Sequence, residues 1–284
     1  MNKQRSDNVK TGMISAIKTI LSASIAISGL LMFSNVSMAE PAWKKTIKPF
    51  TAGSQPQLKK QKLQYSLSWN GKLNSGYVVM IFDKEDPRYK NLYLAQAYGR
   101  SSGVAGKLFP FKFSYTSFMK KKSYQPLIFA SDETDAEENV IIKNTYKSSK
   151  VSHSRIQTAK KGGKVKKREK TFIQQNTHDP LSAMLYIRGR ELNNGDVINV
   201  CLFPFRSAQY AKVTVLGREK HNGYNCIKLD LKIQNIDLET HKLKKYKKLK
   251  KATMWITDDA DRILVELRSK VFIGDVRTTL VKRN

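Results

Sequence analysis

Acidic residues are scarce in this chain: 23 Asp and Glu stand against 52 Lys and Arg, for a formal charge of +29 over 284 residues. A surplus of that sign attracts polyanions, nucleic acid first among them by composition alone. Cysteine is rarer still, with only Cys201 and Cys226, so the chain must build a sizeable core without disulfide staples. The four histidines, His153, His178, His221 and His241, lie without ligand spacing, which argues against a metal site, and no motif indicates a cofactor. Ser182 sits in no Gly-x-Ser-x-Gly elbow, so a serine hydrolase has little support. Beyond residue 39 no apolar run resembles a spanning segment. Neither a repeat nor a break in composition divides the remainder, which reads as one domain over residues 62–284.

What is present begins with a leader. Lys3, Arg5, Lys10 and Lys18 form a positive start, an uncharged and mostly apolar or small stretch covers residues 20–33, and Ser37, Met38 and Ala39 precede Glu40. That order reads as an export signal cleaved after Ala39, with a periplasmic or exported product. The alternative is an uncleaved inner-membrane anchor through residues 19–36, near the lower limit of about 17 residues for a spanning helix. No cysteine follows the apolar stretch, which argues against lipid attachment. Without the leader's +3 the chain keeps +26. Export turns that charge away from nucleic acid and toward anionic lipid, lipopolysaccharide phosphates and peptidoglycan carboxylates, with any membrane contact peripheral. The basic residues are densest in two runs, 160–168 and 242–251, both expected to be solvated.

Residues 40–61 lack periodicity and read as an extended lead-in. Leu63, Tyr65, Leu67 and Trp69 then alternate with polar residues, Asn70-Gly71 makes a hairpin turn, and strands follow over 73–82 and 88–98. The next stretch is open between helix and strand: Leu108, Phe111, Tyr115, Phe118 and Met119 recur at spacings of three and four, which suits one face of a helix, although Pro110 would have to lie in its first turn. Strands resume at 127–130, 140–157 and 164–174, with Gly162-Gly163 as a turn, and Asp179-Pro180 starts a helix over 181–188. Further strands cover 197–203, 210–218, 224–236, 252–257 and 262–273, the last continuing or restarting through 276–281. The fold class is therefore mainly β: a curled antiparallel sheet or open barrel of about eleven strands with one or two helices packed in or on it. In such a meander Cys201 and Cys226 lie about two strand spacings, roughly 10 Å, apart. An even pair in an oxidising compartment invites a bridge, but a disulfide needs Cα atoms within about 7 Å, so two free or semi-buried thiols are favoured over it.

The segment Met254-Trp255-Ile256-Thr257-Asp258-Asp259-Ala260-Asp261-Arg262-Ile263-Leu264-Val265 resembles the signature of the exported bacterial proteins grouped as domain of unknown function 3108. The pattern there is a Trp, an aliphatic residue, Ser or Thr, two Asp, then an Arg before an aliphatic-Pro-Val strand. Tyr65 to Trp69 with Asn70-Gly71 and Gly76 match it too, as do Asp179-Pro180-Leu181-Ser182-Ala183 running to Tyr186-Ile187-Arg188. So do Val213, Val215, Gly217, Glu219 and Gly223, and then Gly274 and Leu280. Leu264 departs from the family's usual Pro, which touches only local strand geometry. The resemblance, over residues 63–280, implies an envelope location, a single curled β domain and no assigned activity. A curved sheet holding helices in its concavity is also similar in architecture to the periplasmic lipoprotein-carrier fold, whose members bind acyl chains, although fold does not imply function.

Candidate binding residues are the aromatic stripe Phe111, Tyr115 and Phe118, together with Arg188, Trp255, Asp258, Asp259 and Arg262. Arg188 and Arg190, at a helix end, complement its dipole or face an anionic head group. Adjacent strand residues point to opposite faces, so Asp258 and Asp259 read as turn caps accepting from backbone amides or Arg262. Two functions remain: a non-enzymatic binder of an amphiphile or anionic envelope component, and an envelope hydrolase acting on peptidoglycan or lipid through Asp179, Asp258 or Asp259.

Overall fold

Hairpin turns organise almost the whole chain. Asn70 and Gly71 take positive φ (50° and 70°) between β1 (Gln61–Trp69) and β2 (Leu73–Phe82), as that dipeptide predicts. Gly162 and Gly163 (74° and 60°) do the same between β7 (Lys150–Ala159) and β8 (Val165–Ile173). The structure, a computed structural model, describes residues 40–51, 60–83, 89, 91–246, 249, 251–271 and 274–284. The leader over 1–39, its cleavage point and the alternative anchor lie outside the described residues. Among the described residues no helix is long and apolar enough to cross a membrane.

The first half continues through β3 (Leu92–Ser101), α1 (Gly103–Leu108), β4 (Lys112–Lys120), β5 (Pro126–Thr134) and β6 (Glu138–Tyr146). After β8 come β9 (Thr177–His178), α2 (Pro180–Arg188), β10 (Val197–Leu202), β11 (Ala208–His221) and β12 (Tyr224–Ile236). The chain ends with β13 (Leu243–Lys245), β14 (Lys251–Thr257), β15 (Leu264–Lys270) and β16 (Asp275–Arg283). All belong to one sheet ordered β8-β7-β6-β5-β4-β3-β2-β1-β16-β15-β14-β12-β11-β10-β9, with β13 paired to β12 off that path. The last strand lies antiparallel beside the first.

Among the described residues sixteen strands replace the expected eleven or so, and each difference has a local cause. Residues 140–157 are two strands, not one, because the chain reverses between Tyr146 and Lys150. Of the stretch 108–119, open between helix and strand in the sequence, residues 112–119 lie in strand β4, in which Phe113, Tyr115, Ser117 and Met119 are buried and Lys112, Ser114 and Lys120 exposed. That period of two overrides the helical spacing of Phe111, Tyr115 and Phe118, and the helix itself ends at Leu108. β9 and β13, of two and three residues, are too short for any alternation to register. Val276 lies in a separate strand after Gly274, whose φ of 77° permits the turn. The lead-in is not extended throughout: Ala42–Thr46 forms a 3-10 helix. Its Trp43 is buried, packs on Tyr210 with ring centroids 5.7 Å apart, and donates from Nε1 to the His241 carbonyl at 2.8 Å.

The sheet curls until its two edges meet. Phe172 on edge strand β8 stacks on Phe203, which follows β10, with centroids 5.5 Å apart. Among the described residues no ladder closes this seam. Instead the Asn144 amide donates to the carbonyls of Phe203 and Pro204, both at 3.0 Å, and the Tyr146 hydroxyl donates to Phe203 at 2.8 Å. Helix α2 is buried nearly all round, as a helix enclosed by a barrel must be. Asp179 caps it: its Oδ1 accepts from the amides of Leu181 (2.8 Å) and Ser182 (3.0 Å), and its Oδ2 accepts from the Ser117 hydroxyl of β4 (2.6 Å). The cap thus also ties the helix to the barrel wall.

Candidate functional site

Register across the inner wall sets its chemistry. One row of paired residues runs Leu63, Met80, Ala97, Tyr115, Ser131, Ile142, Arg155 and Arg168 from β1 to β8. Its apolar end, with α2, encloses a cavity of about 360 Å³, within the range of roughly 300–1,000 Å³ typical of small-molecule sites. Phe111, Phe113 and Tyr115 line one side, Leu229 and Met254 another, and Met184 of α2 faces them. The aromatic wall is continuous: Phe113 and Tyr115 lie 4.6 Å apart, and Tyr115 and Phe205 5.3 Å. Tyr115 donates its hydroxyl to Glu133 at 2.8 Å. Burial, then the Glu133 charge, pushes its pKa well up, so it stays a neutral donor.

Arg188 also lines this cavity. It is 2% exposed and forms no ion pair among the described residues. Its Nη2 donates to the Gln61 amide oxygen at 3.3 Å and to the Asp261 carbonyl at 2.7 Å, and its guanidinium lies 5.1 Å from the centre of the Phe82 ring. Burial pushes its pKa down, and the nearby Tyr65, Tyr93 and Tyr124 act against that. Its own Nε and three neighbouring buried atoms, Gln61 Nε2 and the hydroxyls of Tyr65 and Tyr93, have no hydrogen-bond partner among the described residues.

Of the residues expected at a site, the structure brings Phe111, Tyr115 and Arg188 to the cavity. Phe118 does not line it and packs against Tyr89 with centroids 4.6 Å apart. Trp255 is buried in a separate cluster with Cys226 and Val265. It stacks on His221 at 4.1 Å and 9°, donates to Glu219 at 2.6 Å, and lies under the cations of Arg268 and Lys228. Asp258 pairs with Arg218 at 2.9 Å. Asp259 Oδ1 accepts from the Thr257 hydroxyl and from the amides of Asp261 and Arg262, closing the turn between β14 and β15. Arg262, at φ 44°, donates to the carbonyls of Arg188 and Arg190 and so caps the C-terminus of α2. Phe205, which lines the cavity, and Gln61, Tyr65 and Tyr93, which lie behind Arg188 and do not line it, carry no mark of a site in the sequence. Their only linear signal is strand alternation, which marks core and says nothing of which hydroxyls converge.

A second polar region lies at the seam. Arg155 is 5% exposed. Burial first, then the neighbouring Arg206, brings its pKa to about 10, while Glu138 and Glu133 oppose the shift. The basic run 160–168 is exposed throughout at the β7–β8 hairpin. Both cysteines are buried free thiols, Cys201 in the main core and Cys226 beside Trp255. Burial pushes their pKa values up to about 12 and about 11, which leaves both inert as nucleophiles. Among the described residues no three His, Cys, Asp or Glu side chains are grouped to hold a metal ion.

Residues 64–281 match the family model described as "Protein of unknown function (DUF3108)". None of the curated proteins matches the chain. Among solved structures it is similar to a β-barrel-like protein of domain of unknown function DUF1849 from Brucella abortus, at 11% identity and a TM-score of 0.49, over 81% of this chain and 98% of that one. It is also similar to a "putative exported protein with YmcC-like fold" from Bacteroides fragilis NCTC 9343, at 8% identity and a TM-score of 0.32, over 82% of this chain and 99% of that one. A "putative lipoprotein" from Parabacteroides distasonis ATCC 8503 matches at 9% identity and a TM-score of 0.32, over 82% and 99%.

Proposed function

We propose, from the premise that this chain belongs to the family "Protein of unknown function (DUF3108)", that it is a non-enzymatic binder that takes the apolar part of an amphiphile into its barrel. The observation that carries this reading is the cavity of about 360 Å³ between α2 and the aromatic wall of Phe111, Phe113 and Tyr115. An interior packed for stability alone fills such a space with side chains. The carboxylates of the hydrolase reading support it poorly: Asp179 is spent on a helix cap, Asp258 on Arg218 and Asp259 on a turn. The leader read over residues 1–39 favours an envelope setting with a cleaved signal. There the exposed lysines of the β7–β8 hairpin suit anionic lipid, lipopolysaccharide or peptidoglycan surfaces.

Native mass spectrometry of the protein isolated from its own cells tests the reading. A lipid-sized adduct that leaves under mild activation is the expected result. Salt-sensitive binding to anionic vesicles is expected beside it, because exposed charges are screened at high ionic strength. Repeated absence of both removes the reading.

A further inference from the structure

The cavity reading says that an apolar group enters the barrel; Arg188, which lines the cavity, and the polar atoms packed behind it say which end of the ligand goes deepest. A guanidinium cannot shed its charge, and burying it without a counter-ion is costly. Arg188 nevertheless ends among two carbonyl-type oxygens and one aromatic face, with no carboxylate paired to it. Asp261 accepts through its backbone oxygen; its carboxylate charge reaches Arg188 but its oxygen pairs with Arg283.

The unpartnered atoms share one chemical character. Arg188 Nε and Gln61 Nε2 can only donate, and the hydroxyls of Tyr65 and Tyr93 carry a proton to donate. Burial holds both tyrosines well above their ordinary pKa, so they keep that proton. Gln61 and Tyr65 lie on the inner face of β1, and the Arg188 charge reaches both Tyr65 and Tyr93. The guanidinium's own Nε and the three donors beside it lack a hydrogen-bond acceptor among the described residues; the charges of Asp261 and Asp83 reach this cluster, but neither carboxylate accepts from any of the four atoms. A carboxylate presents two oxygens with about four acceptor sites, and a phosphate presents more.

We infer that Arg188, Gln61, Tyr65 and Tyr93 receive the acidic head of a single-chain amphiphile whose tail lies along Phe113, Tyr115 and Met184. The head is carboxylate or phosphate monoester, and it sits inside the barrel, away from the basic surface. The inference rests on the cavity reading above and deepens it.

Calorimetric titration of the delipidated protein with dodecanoate, dodecyl phosphate and dodecanol tests it, the three probes sharing one tail. Binding of at least one acidic probe tenfold or more tighter than the alcohol is expected. Tyr65→Phe, which removes an unpartnered hydroxyl without changing shape, is expected to weaken the preferred acidic probe about fivefold and leave dodecanol unchanged. Arg188→Met is expected to abolish the preference. Should that variant fail to fold, Tyr65→Phe alone decides. Equal binding of acidic and neutral probes, or an unchanged Tyr65→Phe profile, overturns the head-group assignment while the cavity reading stands. Failure of all three probes to bind overturns both.

Discussion

Asp179 holds the interior helix by both of its oxygens. One accepts two helix amides and the other reaches across to Ser117, while Ser182 returns the bond to the Asp179 amide at 3.0 Å. Removing the carboxylate loses a cap, worth about 1 kcal/mol, and strands the Ser117 hydroxyl and two amides in a dry interior, at about 1–3 kcal/mol for such groups. Asp179→Ala is therefore expected to lower unfolding stability by about 2–4 kcal/mol, read as a shift of the urea midpoint. Asp179→Asn keeps an oxygen for the two amides and should cost about 1 kcal/mol. Equal losses for the two variants would mean that the capping bonds contribute little. This cap was legible in the sequence because it is local, Asp-Pro followed by Ser at the third position. Arg188 was legible only as a helix-end arginine, because its partner Gln61 lies 127 residues away and nothing in the linear pattern joins them.

The seam is the element on which closure of the barrel depends. It is made of side chains: Asn144 and Tyr146 hold Phe203 and Pro204, and Phe172 stacks from the edge strand. A ladder loses one hydrogen bond among many when a side chain changes, whereas this seam loses its connection. The double variant Asn144→Ala, Tyr146→Phe should destabilise by about 2–4 kcal/mol. It should also speed amide hydrogen exchange in β8 and over residues 203–205 well before β1, β16 and β15 respond. Uniform acceleration across all strands would show that the seam does not open separately. Hairpins such as β1–β2 and β7–β8 were legible because their turns need Asn or Gly at positive φ. β4 stays open between helix and strand in the sequence because Phe111, Tyr115 and Phe118 fall at helical spacing by coincidence, while Phe113 and Met119 complete a strand face. The 3-10 helix around Trp43 escaped notice because its burial comes from Tyr210 and His241, far along the chain.

Over the whole molecule, buried titratable groups pull stability with pH in opposite directions. His178 lies between the rings of Phe50 and Tyr186, at 4.5 and 4.7 Å. Burial, then the Arg190 charge, brings its pKa down to about 3. Burial, then Lys170, Arg155 and Arg206, brings His153 to about 4. In the unfolded chain both take up protons near pH 6.5. The stability they contribute is therefore full above that pH and is lost as pH falls toward 4 and 3. Asp179 acts the other way. Burial raises it from 3.8 to about 6 against its hydrogen bonds from Ser117, Ser182 and Leu181, so its contribution is present below 3.8 and is lost as pH rises through 6. Two histidines against one aspartate leave the unfolded chain holding about one proton more than the folded chain near pH 5. Stability should then rise by on the order of 1 kcal/mol per pH unit between about pH 4.5 and 6. The self-repulsion of a chain at +29, which grows as surface carboxylates protonate, has the same sign. Urea midpoints measured across that window are expected to climb, Asp179→Asn is expected to steepen the climb by removing the opposing group, and His178→Gln to flatten it. A falling profile would mean that the histidines are charged in the folded barrel. Because His153 bonds to Asn144 at the seam and His178 contacts Ser182 in the first turn of α2, acid should act first at the two devices that hold the barrel's edges and its interior helix in place.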